Sequence, residues 1–90
     1  MNKYIVEFLG TMFLVFVIFA SGEWVAIGAA LAIAVLLGGA ISGGAFNPAV
    51  AISLYSSGKL AKSDLIPYII VEILGGLSAV YVYKKFVIKS

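Results

Sequence analysis

The chain has 90 residues, of which 63% are hydrophobic and 11% charged; its net charge of +2 comes from lysine and acids alone, with no Cys or His. Soluble domains carry about 25% charged residues, so this composition and a mean hydropathy of +1.17 indicate a single membrane-embedded domain, residues 1–90. Disulfides, thiolate chemistry and the usual zinc sites are excluded. The scattered acids make no credible metal cluster and there is no nucleophile–base pair, so neither an enzyme nor a cofactor is expected, and the lysines leave no nucleic-acid footprint.

Tyr4 to Ala20 reads as a first span, apolar with small interruptions at Gly10 and Thr11. Its length is near the lower limit for crossing a hydrocarbon core of about 30 Å. The same segment could pass for a signal peptide, but Glu7 lies inside it, where a signal core does not want a carboxylate. Ser21-Gly22-Glu23-Trp24 is a tight polar turn, and Trp24 suits a membrane interface. Val25 to Ile41 is a second span in which Ala26, Ala30, Ala34 and Gly38 recur every four residues. Such a smooth face lets helix backbones approach closely in lipid.

Ser42 to Phe46 is a Gly-containing break. Pro48 to Ser57 follows as a short helix, spanning about 15 Å at about 1.5 Å per residue, half of the core. Irregular backbone at that depth is tolerated only where it is buried in protein or lines a watery cavity. Leu65 to Tyr83 is a third full span with Pro67 in its first turn. Gly75 and Ala79 repeat the small-residue spacing, and Lys84, Lys85 and Lys89 mark its end. The expected fold is an all-α membrane protein: three transmembrane helices plus one re-entrant half-helix.

Asn47-Pro48-Ala49 lies at the start of the half-helix. The fixed φ of Pro48 suits the first helical position, and Asn47 is then the N-cap, its side-chain oxygen accepting a backbone N–H. The Asn47 amide NH2 is left facing outward as a donor, beside the partial positive charge of the helix N-terminus. Gly43 and Gly44 permit an extended strand whose carbonyls face a cavity. A line of acceptors leading to one donor suits a neutral hydrogen-bonding solute passing in file.

These residues resemble the aquaporin and glycerol-facilitator family. Glu7-Phe8-Leu9-Gly10-Thr11 with Leu14-Val15-Phe16 looks like its first helix, and Ile41 through Val50 looks like its first signature loop. Glu72-Ile73-Leu74-Gly75-Gly76 looks like the third helix, where the family usually has Gln. The resemblance implies one half of an inverted repeat, since family members have six spans and two such loops. It implies a pore lined by Gly43, Gly44, Ala45, Phe46, Asn47, Pro48, Ala49 and Val50, with Ile27 at the filter position of the second helix. It also implies that Glu7 and Glu72 brace the loop, Glu7 by accepting loop N–H groups. A neutral Glu72 could donate as Gln does; the alternative places Glu72 near a helix end, snorkelling to water.

The chain departs from the family pattern in three ways. It has no Arg, and Val50 follows the Asn-Pro-Ala; Ala45 stands where a His often precedes the motif; Ile27 is not aromatic. A copy-on-copy pore would be more apolar and wider, which leaves room for glycerol or other small uncharged solutes as well as water.

One half leaves loop carbonyls facing lipid, so a second copy is required. The inverted arrangement needs two chains inserted in opposite senses. Lys3, Lys59 and Lys62 fall on one side and Lys84, Lys85 and Lys89 on the other, so the positive-inside bias vanishes and both insertions are open. The expected partner is the chain itself, as an antiparallel homodimer within membrane lipid, with four dimers per assembly implied by the resemblance. The expected location is the plasma (cytoplasmic) membrane. Two rivals remain: a small dual-topology proton-coupled exporter using Glu7, and an accessory or truncated subunit of a full-length channel.

Overall fold

A computed structural model of the protein describes residues 1–88. The helices are α1 (Lys3–Ser21), α2 (Trp24–Ser42), α3 (Pro48–Ser56) and α4 (Lys62–Val82), the last continued by a π-helical turn, Tyr83–Val87. No strand occurs among the described residues. Three helices, α1, α2 and α4 with its π-helical extension, are long and apolar enough to cross a membrane; α3 is half their length. This is an integral membrane fold.

Local chemistry sets the boundaries. Asn2 caps α1 by accepting from the N–H groups of Tyr4 and Ile5, and Gly22 ends it in the left-handed conformation. Glu23 caps α2 through the N–H groups of Val25 and Ala26, and Gly43 ends it at φ 89°. Trp24 is 83% exposed at the start of α2. The third span begins one turn earlier than its hydropathy suggests, at Lys62, because Asp64 occupies the first turn, where the helix dipole favours an acid. Pro67 therefore lies inside the helix rather than in its first turn. The helical path also runs past Tyr83, through Lys84 and Lys85. Lys89, counted among the flanking lysines, lies outside the described residues.

The packing is the inverse of a soluble core. The interior is made of small and polar residues: Ala30, Ala34, Gly38 and Ser42 on α2, and Asp64, Tyr68, Glu72, Gly75 and Ala79 on α4. Large apolar side chains point outward, as with Leu36 at 81% and Leu37 at 74% exposed. Lipid tails are as apolar as leucine, so helices associate by close approach rather than by hiding leucines. A Cβ on Gly75 would lie 2.5 Å from the Phe8 carbonyl oxygen, and one on Gly38 2.5 Å from Val6 Cγ1. Those two glycines set the α1–α4 and α1–α2 distances.

α1 and α4 run parallel. Lys3 Nζ pairs with Asp64 Oδ2 at 2.8 Å, Tyr4 meets Tyr68 edge-on with ring centroids 5.9 Å apart, and Phe19 meets Tyr83 at 5.7 Å. The starts of both helices thus share one end of the bundle. α2 returns to that end, where Ser42 reaches Glu7 of α1. The chain then turns back inward, and α3 descends along α4, its Ala51 packed with Leu60 and Tyr68.

Candidate functional site

The re-entrant loop is held by one carboxylate. Glu7, with no exposed surface, accepts from the Ser42 hydroxyl at 2.6 Å and the Ala45 N–H at 3.2 Å through Oε2, and from the Phe46 N–H at 2.8 Å through Oε1. The Ser42 hydroxyl in turn accepts from the Gly44 N–H at 3.1 Å. Tyr68, 1% exposed, donates its hydroxyl to the Ser42 carbonyl at 2.6 Å. The end of α2 and the loop are thereby tied to both α1 and α4.

The Gly44, Ala45 and Phe46 N–H groups are turned inward by these bonds, and the loop carbonyls are not. No hydrogen bond among the described residues ends on the carbonyl oxygens of Gly43, Gly44, Ala45 or Phe46. A peptide N–H and its neighbouring C=O cannot both face the same wall in irregular backbone. By capturing the N–H groups of residues 44–46, Glu7 and Ser42 leave the carbonyls as the loop's free edge.

The loop is not the extended strand its glycines suggest. Gly43 and Gly44 take φ 89° and 70°, and Phe46 takes φ 52°. Left-handed backbone at a bulky residue costs on the order of 1–2 kcal/mol, so Phe46 is held there by its surroundings. Its N–H is bound by Glu7, and its ring fills the notch left by the missing Cβ of Gly10, where such an atom would lie 2.1 Å from the ring edge. Ala45 and Phe46 are buried, at 4% and 2% exposure, so neither side chain lies on the open face of the single chain.

At the tip, Asn47 caps α3 by accepting from the Ala49 N–H at 2.8 Å, with Pro48 as the first helical residue. Its side-chain NH2 is left free of partners among the described residues. Asn47 and Pro48 share a groove with Glu72, ten residues into α4 and hence about 15 Å from its start. The half-helix N-terminus therefore lies near mid-depth. Asn47, Ala49, Val50 and Gly43 are exposed, forming an open face on the single chain. Ile27 sits near the start of α2, at the opposite end from Ser42, and does not line this groove.

Glu72 does not snorkel: it is 1% exposed, in the middle of α4. Neither of its carboxyl oxygens has a hydrogen-bond partner among the described residues, nor does the Thr11 hydroxyl. Glu7 and the Asn47 backbone are among its polar neighbours. Sequence reasoning passed over Tyr68, Ser42 and Thr11. The signal for Tyr68 was present, because Asp64, Tyr68 and Glu72 form a polar i, i+4 stripe on an apolar helix. Thr11 carried none.

The whole chain, residues 1–90, matches the family model described as Major intrinsic protein. The chain is 42% identical over 97% of its length to "Glycerol uptake facilitator protein-like 6" of Lactiplantibacillus plantarum, covering 44% of that protein. It is 38% identical over 88% of its length to "Aquaporin Z" of Brucella melitensis, covering 41% of it. It is 36% identical over 93% of its length to "Aquaporin AqpM" of Methanothermobacter thermautotrophicus, covering 47%. The chain thus spans about half the length of the curated relatives it matches. No solved structure gives a significant match.

Proposed function

The chain belongs to the major intrinsic protein family, and on that premise we propose that it forms half of a passive channel for water and small uncharged solutes such as glycerol. The observation that carries this reading is the row of free carbonyls at 43–46 ending beside the Asn47 amide and the α3 N-terminus. Each carbonyl at bilayer depth needs a partner, and each unsatisfied group there costs several kcal/mol. A water molecule or an alcohol hydroxyl donates to such an edge and then accepts from Asn47. The positive end of α3 disfavours a cation at the same point.

The relatives named as aquaporins and as a glycerol uptake facilitator support both solutes. Val50 after Asn47-Pro48-Ala49, in a chain that carries no Arg, favours a more apolar constriction that admits glycerol.

The pore closes when a second copy, inserted in the opposite sense, faces the open side of the first. The family fold implies that four such pores group together, and the plasma membrane is the location we assign. Support for opposite insertion comes from the lysines: Lys3, Lys59 and Lys62 lie at one end of the parallel α1–α4 pair, and Lys84 and Lys85 at the other. A four-span exporter has no place for the re-entrant α3.

Stopped-flow measurement of water and glycerol entry into vesicles containing the purified chain tests the channel. Passive entry that falls in Asn47→Asp is the expected result; entry no faster than in protein-free vesicles refutes it. Topology reporters on both termini test the second claim, which fails if every chain shows the same terminus on the same side.

A further inference from the structure

Close approach of α1 and α4 presses two acids together. Tyr4 of α1 meets Tyr68 of α4, and the Phe8 backbone lies against Gly75, whose missing Cβ admits it. Glu7 falls between Tyr4 and Phe8, and Glu72 between Tyr68 and Gly75, so the parallel register sets the two carboxyls at one level. The Glu72 carboxyl adjoins that of Glu7 and the Asn47 backbone. Both residues are buried, at 0% and 1% exposure.

Glu7 is committed as an acceptor. Its oxygens receive hydrogens from the Ser42 hydroxyl and from the Ala45 and Phe46 N–H groups. Neither oxygen of Glu72 has a donor among the described residues. Two carboxylates side by side have no hydrogen to place between them, and one proton supplies it.

Among the described residues no cation faces the pair. On α1, Lys3 and Tyr4 both bond Asp64, which lies about 12 Å from Glu72 along α4. The Tyr68 hydroxyl already donates to the Ser42 carbonyl. Neither α2 nor the loop carries a titratable side chain, and the one on α3, Tyr55, is exposed near its far end. Lys59 and Lys62 are exposed at the start of α4; Tyr81, Tyr83, Lys84 and Lys85 lie about 13 Å or more beyond Glu72 in the other direction. Two like charges taken out of water without a counter-ion are far costlier than one.

We propose that Glu7 and Glu72 form a buried proton-binding site, one proton held between the two carboxyls with Glu72 as donor and Glu7 as acceptor. The pair titrates as a unit. The site belongs to a single chain and does not rest on the channel reading. Its charge state reaches the loop directly, because the same Glu7 oxygens hold the Ala45 and Phe46 N–H groups. With the proton in place the pair carries one charge. When the Glu72 O–H bond breaks and the proton passes to water, two negative charges repel and the loop loosens. The ordered loop therefore holds a proton that a loosened, solvated loop gives up, and its stability falls as pH rises.

Infrared spectroscopy of the full-length chain in nanodiscs reads the proton. At neutral pH the parent should show the C=O stretch of a protonated carboxyl, shifted in D2O, and Glu72→Gln should lack it. Asp64→Asn, which removes the acid paired with Lys3, should keep it. Hydrogen-exchange protection over residues 42–48, corrected for intrinsic exchange, should fall in the parent by up to about tenfold per pH unit, the slope of one linked proton. In Glu72→Gln it should stay level.

A parent with no protonated carboxyl at neutral pH overturns the proposal, and this result needs no variant to fold. So does the same pH slope in parent and Glu72→Gln, or a band that survives Glu72→Gln. Protection restored at high pH by sodium but not by choline would assign the site to a metal ion instead. Solute entry plays no part in these measurements, so a failed channel assay leaves the proton site standing, and the reverse holds equally.

Discussion

Replacing Glu7 with Ala removes the acceptor that organises the loop. The Ala45 and Phe46 N–H groups lose their partner in a site with no access to solvent, while the Ser42 hydroxyl can turn to the Gly38 carbonyl 3.4 Å away. Each orphaned buried donor costs about 1–3 kcal/mol, so the two together destabilise the ordered loop by about 2–6 kcal/mol. A tenfold change corresponds to about 1.4 kcal/mol, so exchange protection at these amides should fall by roughly 30-fold to 10⁴-fold. Hydrogen exchange of the detergent- or nanodisc-embedded chain, read on fragments covering residues 42–48, measures it directly. Glu7→Gln keeps one acceptor oxygen and should lose less than Glu7→Ala. If Ala45 and Phe46 remain as protected in Glu7→Ala as in the parent, the loop is held by something other than this carboxylate, and the explanation of the free carbonyl edge fails with it.

The adjacent glycines of α4 should behave oppositely. Gly75→Ala puts a Cβ against the Phe8 backbone and should cost about 1–3 kcal/mol as overpacking, whereas Gly76→Ala makes an ordinary contact and should leave the thermal midpoint in detergent unchanged. Tyr68→Phe strands the Ser42 carbonyl, a loss of about 1–3 kcal/mol in chemical unfolding; an unchanged midpoint would mean that α4 does not hold the end of α2. Glu72→Gln keeps a polar side chain beside Asn47 and should preserve both folding and glycerol entry. Loss of entry in Glu72→Gln with assembly intact would give the carboxylate a part in transport itself.

Much of this protein is readable from a string of letters because lipid imposes so few options. A polar or Gly-rich interruption in an apolar chain must be an end, a turn or a protected break, so the spans, the half-helix after Asn47-Pro48 and the inward Glu7 follow from residue order alone. Pro48 and Asn47 specify a helix start by local geometry, and no distant contact is needed to see it. Boundaries were less legible: Asp64 and the parallel Lys3 pairing extend α4 backwards by a turn, and hydropathy does not register a stabilised polar end.

Only the tertiary structure decided what the loop does with its backbone. That Phe46 is left-handed, with its ring in the Gly10 notch, depends on helices brought together across more than thirty residues of sequence. Relative position likewise decides that Tyr68 reaches Ser42 across 26 residues, and that the Glu72 and Thr11 oxygens lie beside Asn47. Hydrogen-bond direction is a property of relative position, and sequence records which groups exist but not which of them end up facing each other.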